Sequence, residues 1–257
     1  MATLSKRPQT KDPRNVFKNE LLAAAGRPAL TELLPEFELV TLKTGEVLYD
    51  DSKPNAYVYF PDRAVISHVY FAESGASVEA AMVGPEGASG LCGLLSTERP
   101  KHTAMVIYGG LADRISVDTL TAATLGSKHL QTVFYEYLMS FSAEMGQRIA
   151  CGSFHLSDER LCSWLLMLEE RAGSSKMMIT HEEIATLLGI NRASVSTIAK
   201  RLKDDGLISY VRGKLSIVNR RRLASVSCGC FPAALRGQQL SSRARERDER
   251  LKPSPVL

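Results

Sequence analysis

Two helix starts and two helix stops fall within the short span from Thr180 to Gly206, and they leave this stretch little choice of fold. Thr180 and Glu183 stand at capping-box spacing, so each side chain can satisfy the other's backbone N–H, and Ile179 with Ile184 supplies the apolar staple around them. Ile184, Leu187 and Leu188 line one helical face, and Gly189 stops the helix where a left-handed residue is needed. Asn191 caps a second helix, Ile190 and Val195 repeat the staple, and Val195, Ile198, Ala199 and Leu202 form its buried stripe before Asp205-Gly206 ends it. Small Ala185 at the crossing and Gly189 four residues later are what two closely packed helices require, whereas an ordinary helical hairpin needs neither at that separation. The pattern is that of a helix-turn-helix.

Charge supports this reading. Residues 1–175 carry a net −5, residues 176–222 a net +6 and residues 223–257 a net +3. A mildly acidic large part joined to a compact basic part suits a sensing or assembly unit attached to a nucleic-acid-binding one. In such motifs the N-terminal end of the second helix enters the major groove, which makes Arg192, Ala193, Ser196 and Thr197 the expected base-reading residues. Arg192 leads, because a guanidinium can bond guanine O6 and N7 together. Thr180, Lys200, Arg201, Arg212 and Lys214 are the expected backbone contacts, which give affinity without sequence information. Arg212-Gly213 between Leu207–Val211 and Lys214–Val218 is a two-residue hairpin signal, hence a wing, with Arg220-Arg221-Arg222 adding charge beyond it.

Upstream the periodicity differs. From Phe37 to about Ile115, short β-favouring runs such as 37–40, 47–49, 57–60, 65–71, 78–83 and 104–108 alternate with turn residues, which predicts an antiparallel sandwich or barrel-like fold. After Gly126 the period becomes helical. Leu130, Phe134, Tyr137 and Phe141 form one stripe and Leu138, Phe141, Met145 and Ile149 another, an apolar face wide enough to cover the β unit and meet a second copy. The plain alternative is a core helix. The expected organisation is a mobile arm over 1–15, a β-roll sensor domain over 16–125, a dimerisation helix over 126–155, a winged helix-turn-helix over 156–231 and a basic flexible tail over 232–257. The fold class is thus α+β: an antiparallel, jelly-roll-like β-roll, a long helix and a winged helix-turn-helix.

These segments together resemble the Crp/Fnr family of bacterial transcription regulators. The resemblance runs from about Phe37 to Phe231 and rests chiefly on Thr180-His181-Glu182-Glu183-Ile184-Ala185, Leu188-Gly189-Ile190-Asn191-Arg192, Lys200-Arg201-Leu202 and Gly206-Leu207-Ile208. Tyr59-Phe60-Pro61 and Val83-Gly84-Pro85-Glu86-Gly87 resemble the family's roll more weakly. It implies a homodimer on a two-fold symmetric site in double-stranded DNA, with RNA polymerase as a further candidate partner. It also places an effector pocket at Glu86, Gly87, Gly90, Leu91, His102 and Thr103, and marks that pocket as degenerate. Where cyclic-nucleotide-binding members carry Gly-Glu and Arg-Ser or Arg-Thr, this chain has Gly90-Leu91 and His102-Thr103. A neutral imidazole cannot replace bidentate pairing of a guanidinium with phosphate. Ala193 and Thr197 replace a Glu and an Arg of well-known members, so a different operator is expected.

Five cysteines give no disulfide framework, and oxygen-sensing members' clustered N-terminal cysteines have no counterpart, since the first cysteine is Cys92. Cys228-Gly229-Cys230 raises redox control as an alternative, a basic neighbourhood favouring thiolates. No nucleophile elbow, phosphate loop or metal-ligand spacing stands out, so neither an enzyme nor a metal site is expected and the cofactor is left unknown. No signal-peptide or membrane-spanning run is present, which points to the cytoplasm and away from a membrane partner.

Overall fold

The structure is a computed structural model that describes residues 4–6 and 17–230. Eight short strands form two antiparallel sheets: β1 (Leu4–Lys6), β2 (Glu38–Leu42), β3 (Val47–Tyr49), β4 (Tyr57–Pro61), β5 (Val65–Phe71), β6 (Ser77–Val83), β7 (Thr103–Tyr108) and β8 (Gly110–Ser116). They pair in the orders β1-β2-β8-β4 and β3-β7-β5-β6. Val40, Leu42, Tyr59, Ile66, Val83, Val106 and Ala112 fill the space between the sheets. Strands β4 and β5 are buried along runs of consecutive residues, Val58–Pro61 and Val65–Val69, because elements outside the sandwich cover their second face as well.

Two local features depart from the sequence expectation. Leu4–Lys6, within the segment expected to be a mobile arm, pair with Glu38–Val40; the rest of that arm and the tail expected over 232–257 lie outside the described residues. Strand β8 breaks the apolar pattern with Asp113 and Arg114, yet it is central in its sheet. Arg114 is accommodated by Glu38, whose carboxylate accepts from Nε at 2.8 Å, and by the Tyr57 ring beneath its guanidinium. Helices α1 (Glu20–Ala25), α2 (Arg27–Leu33) and α3 (Val117–Gly126) flank the 37–115 span expected to be strands. Buried Asn19 anchors the first of them: its Oδ1 accepts from Leu22 N, and its Nδ2 donates to the carbonyls of Pro61 and Gly87 at 2.9 and 2.8 Å.

The long helix α4 (Lys128–Phe154) crosses the roll, and α5 (Ser157–Ala172) opens the C-terminal half. That half adds β9 (Lys176–Met178), α6 (His181–Leu188), α7 (Arg192–Asp204), β10 (Ile208–Val211), β11 (Lys214–Ile217) and α8 (Arg220–Ser225), with the sheet order β10-β11-β9. One apolar cluster runs through both halves, joining Val65, Val69, Met82 and Ile107 of the roll to Trp164, Leu168, Ile184, Val195 and Leu215. Two polar groups are buried at the same junction. Glu79 on β6 accepts from Trp164 Nε1 at 2.9 Å and Ser67 Oγ at 2.7 Å and pairs with Arg148. Arg171 at the end of α5 joins Glu86 and Glu144. Among the described residues no helix is long and apolar enough to cross a membrane.

Candidate nucleic-acid interface

Helix α6 starts as the capping box requires: Thr180 Oγ1 accepts from Glu183 N at 3.2 Å, and Glu183 Oε2 accepts from Thr180 N at 2.7 Å. Gly189 ends it in the left-handed region at φ 64°, and Asn191 Oδ1 accepts from Ser194 N at 2.7 Å to start α7. Ile184, Leu188, Val195 and Ala199 are buried between the two helices. The wing follows as β10 and β11, whose turn puts Arg212 at φ 50° and Gly213 at φ 79°, the positive pair a tight hairpin needs.

These elements sort the expected contact residues. Arg192, Ala193 and Thr197 lie exposed along the N-terminal part of α7, and Arg192 Nε stands 3.7 Å from Glu182, a pair open to solvent and easily exchanged for a nucleic acid. Thr197 Oγ1 donates back to Ala193 O at 3.0 Å, as a helical threonine often does. Ser196 differs from the expectation. Its hydroxyl is 2.9 Å from His181 Nδ1, and His181 stacks on Tyr210 with ring centroids 4.3 Å apart, so Ser196 braces α7 against α6 and the wing. Burial, with Arg192 nearby, holds His181 below the ordinary histidine range. Thr180 also differs: its hydroxyl donates to Glu183 Oε2 at 2.8 Å, so the cap puts a carboxylate where a phosphate contact was expected.

The cations divide similarly. Arg201 is tied to Asp158, Lys200 is 4.0 Å from Asp204, and Arg220 bridges to Glu169 and Glu170. Among the described residues Lys203, Arg212 and Lys214 make no ion pair, and all three are exposed. The turn between α6 and α7 rests on the β5–β6 hairpin, where Ser77 Oγ donates to Thr186 O at 3.4 Å.

Each of the six expected effector-pocket residues has close neighbours of its own. Glu86 is engaged by Arg171 at 2.7 Å, and Gly87 is packed so tightly on Tyr137 that a Cβ there would collide with the ring. Gly90 takes φ 96° in close approach to the Tyr57 carbonyl, and Leu91 is buried with Phe60, Ile115 and Leu130. Thr103 opens β7 and pairs with Val69. His102 stacks on His68 at 4.4 Å, and Tyr49 Oη and His68 Nε2 each lie 2.8 Å from Ser89 Oγ. Phe141 closes this group from α4, 5.3 Å from the His68 ring. The roll thus fills this space with its own aromatic and imidazole side chains.

Residues 159–226 match the sequence family of Crp-like helix-turn-helix domains. This segment is a Crp-like domain. Solved structures that share the fold over about three quarters of this chain include FixK2 of Bradyrhizobium japonicum, at 17% identity and a TM-score of 0.62, covering 74% of this chain and 97% of that one. A CRP-family transcriptional regulator of Thermus thermophilus matches at 16% identity and 0.62, covering 73% and 95%. Another regulator of Thermus thermophilus, of the CRP/FNR family, matches at 20% identity and 0.60, covering 74% and 97%. At these identities the likeness is one of fold, the roll, long helix and winged helix-turn-helix of the Crp/Fnr regulators. No curated protein matches the sequence.

Cys228 and Cys230, just beyond the last helix of the Crp-like domain, are buried, so they do not present the exposed thiols that redox control calls for. The fold instead brings them to Cys151 and His155 at the end of α4, a set of four ligating groups that contradicts the expectation of no metal-ligand cluster. The signal in the sequence was Cys151 and His155 four residues apart at the end of one helix, together with a Cys-x-Cys. Some 75 residues separate the two parts, and only the return of the chain after α8 unites them.

Proposed function

We propose that the chain is a dimeric, sequence-specific DNA-binding transcription regulator whose roll does not take a cyclic nucleotide. One observation carries this reading: α7 of the Crp-like domain leaves Arg192, Ala193 and Thr197 exposed, flanked by the exposed cations Lys203, Arg212 and Lys214, which make no ion pair among the described residues. That is a base-reading edge between two phosphate-contacting margins. Dimerisation falls to the outer face of α4, where Tyr135, Met139, Ser142, Gly146, Ile149 and Ser153 are exposed at alternating spacings of four and three. This is the stripe along which two helices pack with small residues at close approach. Phe141, expected in that seam, is spent on the roll. The roll interior leaves His68, His102 and Tyr49 where phosphate and ribose anchors would be needed. Control by oxidation of Cys228 and Cys230 is the weaker reading, because both thiols are buried.

Selection of the intact protein against a random duplex library tests the proposal. It should enrich an inverted repeat with half-sites about one helical turn, roughly 10 base pairs, apart. A library that emerges with no enriched motif refutes it.

A further inference from the structure

Four ligating side chains meet at the seam between α4 and the C-terminal end of the Crp-like domain. Cys151 lies in the last turn of α4, and His155 is the residue that caps it, its N donating to Cys151 O at 3.1 Å. After α8 the chain turns back, with Cys228 N donating to Glu159 O, and lays Cys228 and Cys230 against that turn. Cys151 Sγ is 3.6 Å from Cys228 Sγ, Cys230 Sγ is 3.5 Å from His155 Nδ1, and all four ligating atoms lie within 4.8 Å of one another. We propose that Cys151, His155, Cys228 and Cys230 bind one tetrahedral Zn²⁺, closing a structural site that ties the long helix to the end of the Crp-like domain.

The spacing fits that ion. Bonds of about 2.3 Å to sulfur and about 2.0–2.1 Å to nitrogen, at tetrahedral angles, put two sulfurs about 3.8 Å apart and a sulfur and nitrogen about 3.5 Å apart. A disulfide needs sulfurs at about 2.05 Å, and it would leave the third thiol and the imidazole facing a bond that neither can ligate. An iron–sulfur cluster divides its ligands between separate irons, which spreads them further than this set is spread. Three thiolates and a neutral imidazole around Zn²⁺ carry a net charge of −1, and hydrogen-bond donors are in place to meet it. Gln147 Nε2 already donates to Cys230 Sγ at 3.2 Å. Ser163, beside Cys228, has a buried hydroxyl placed to donate to that sulfur. Four protein ligands leave no open coordination position, so the site is structural and not catalytic. Binding transfers the three thiol protons to solvent, with no change in oxidation state.

The test uses the full chain purified under reducing conditions, with Zn²⁺ and Co²⁺ as probes. The expected result is one Zn²⁺ per chain by elemental analysis. After chelation, Co²⁺ should restore thiolate charge-transfer absorption and tetrahedral d–d bands, saturating at one equivalent with release of about three protons per ion near neutral pH. Cys228→Ser should lower Co²⁺ affinity by more than the roughly 10–100-fold that loss of an outer hydrogen-bond partner brings, and Gln147→Ala should fall within that range. Cys162→Ser, which removes a buried cysteine outside the set, should keep the stoichiometry at one. Wild-type protein that gives no Co²⁺ spectrum overturns the site without recourse to any variant. A Cys151–Cys228 disulfide by mass spectrometry, iron with acid-labile sulfide, or unchanged metal content in Cys228→Ser overturns it equally. None of these readouts depends on DNA binding, so the site and the regulator reading stand or fall separately.

Discussion

Arg171 is the side chain whose loss the fold should tolerate least. Its guanidinium is buried between the roll, α4 and α5, with Nε donating to Glu86 at 2.7 Å and Nη2 to both oxygens of Glu144 at 2.9 and 3.1 Å. Burial works against the charged form, but Glu144 and Glu86 outweigh it and raise the pKa above the ordinary arginine value. Arg171→Met keeps length and apolar bulk while removing the cation that these two nearly buried carboxylates share. Removing one partner of a buried ion pair costs about 3–5 kcal/mol, because the uncompensated charge remains. With a urea m-value of about 2 kcal/mol/M, the unfolding midpoint should fall by about 1.5–2.5 M. Trp164 is the sole tryptophan and is buried at this junction, so its fluorescence reports the transition directly. The triple variant Arg171→Met/Glu86→Gln/Glu144→Gln removes the stranded charges and should recover most of the stability. A fall below about 1 kcal/mol for the single variant, or a triple variant no more stable than the single, would refute the reasoning.

Two further outcomes follow from the same packing. His68 is held well below the ordinary histidine range by burial and then by His102, and His102 is itself lowered by burial. The unfolded chain therefore takes up protons below about pH 6.5 that the folded chain refuses, so stability is full above that pH and declines as pH falls, by up to about 1.4 kcal/mol per unit for each histidine. His68→Gln should flatten urea-unfolding stability between pH 6.5 and 5; an unchanged slope argues against the pair. On α4, Met139→Glu should dissociate the dimer in sedimentation while leaving the melting temperature of the subunit nearly unchanged. Phe141→Glu should unfold the subunit instead, and a Met139→Glu protein that stays dimeric contradicts the assigned seam.

Local chemistry was legible in the sequence and long-range assembly was not. The helix-turn-helix could be read residue by residue because Thr180, Glu183, Gly189 and Asn191 act on backbone within four positions of themselves. The same holds for Arg212-Gly213 at the wing. Strand β8 escaped because Asp113 and Arg114 look like loop residues until Glu38 and Tyr57 arrive from other strands to receive Arg114. The width of the α4 apolar face was evident, but its division was not: His68 and Tyr137 claim Phe141 for the roll and leave Tyr135, Met139 and Ile149 outside. Position alone puts Thr180 and Ser196 on the nucleic-acid side, whereas Glu183 and His181 engage both hydroxyls in local hydrogen bonds. The Cys151, His155, Cys228 and Cys230 cluster depends on how α8 packs on α5, for which no local pattern exists.

The central claim is that α7 reads bases while the wing holds phosphate. Affinity measured for a selected site and a scrambled duplex of equal length, over a range of salt, tests it most directly with Arg192→Ala and Lys214→Ala. Arg192→Ala should weaken binding by about 1–3 kcal/mol per half-site on the selected duplex and little on the scrambled one. Lys214→Ala should weaken both duplexes alike and lower the salt slope by about 1 for each phosphate it no longer neutralises, about 2 for a dimer. If Arg192→Ala weakens the two duplexes equally, base reading by α7 through that residue is wrong.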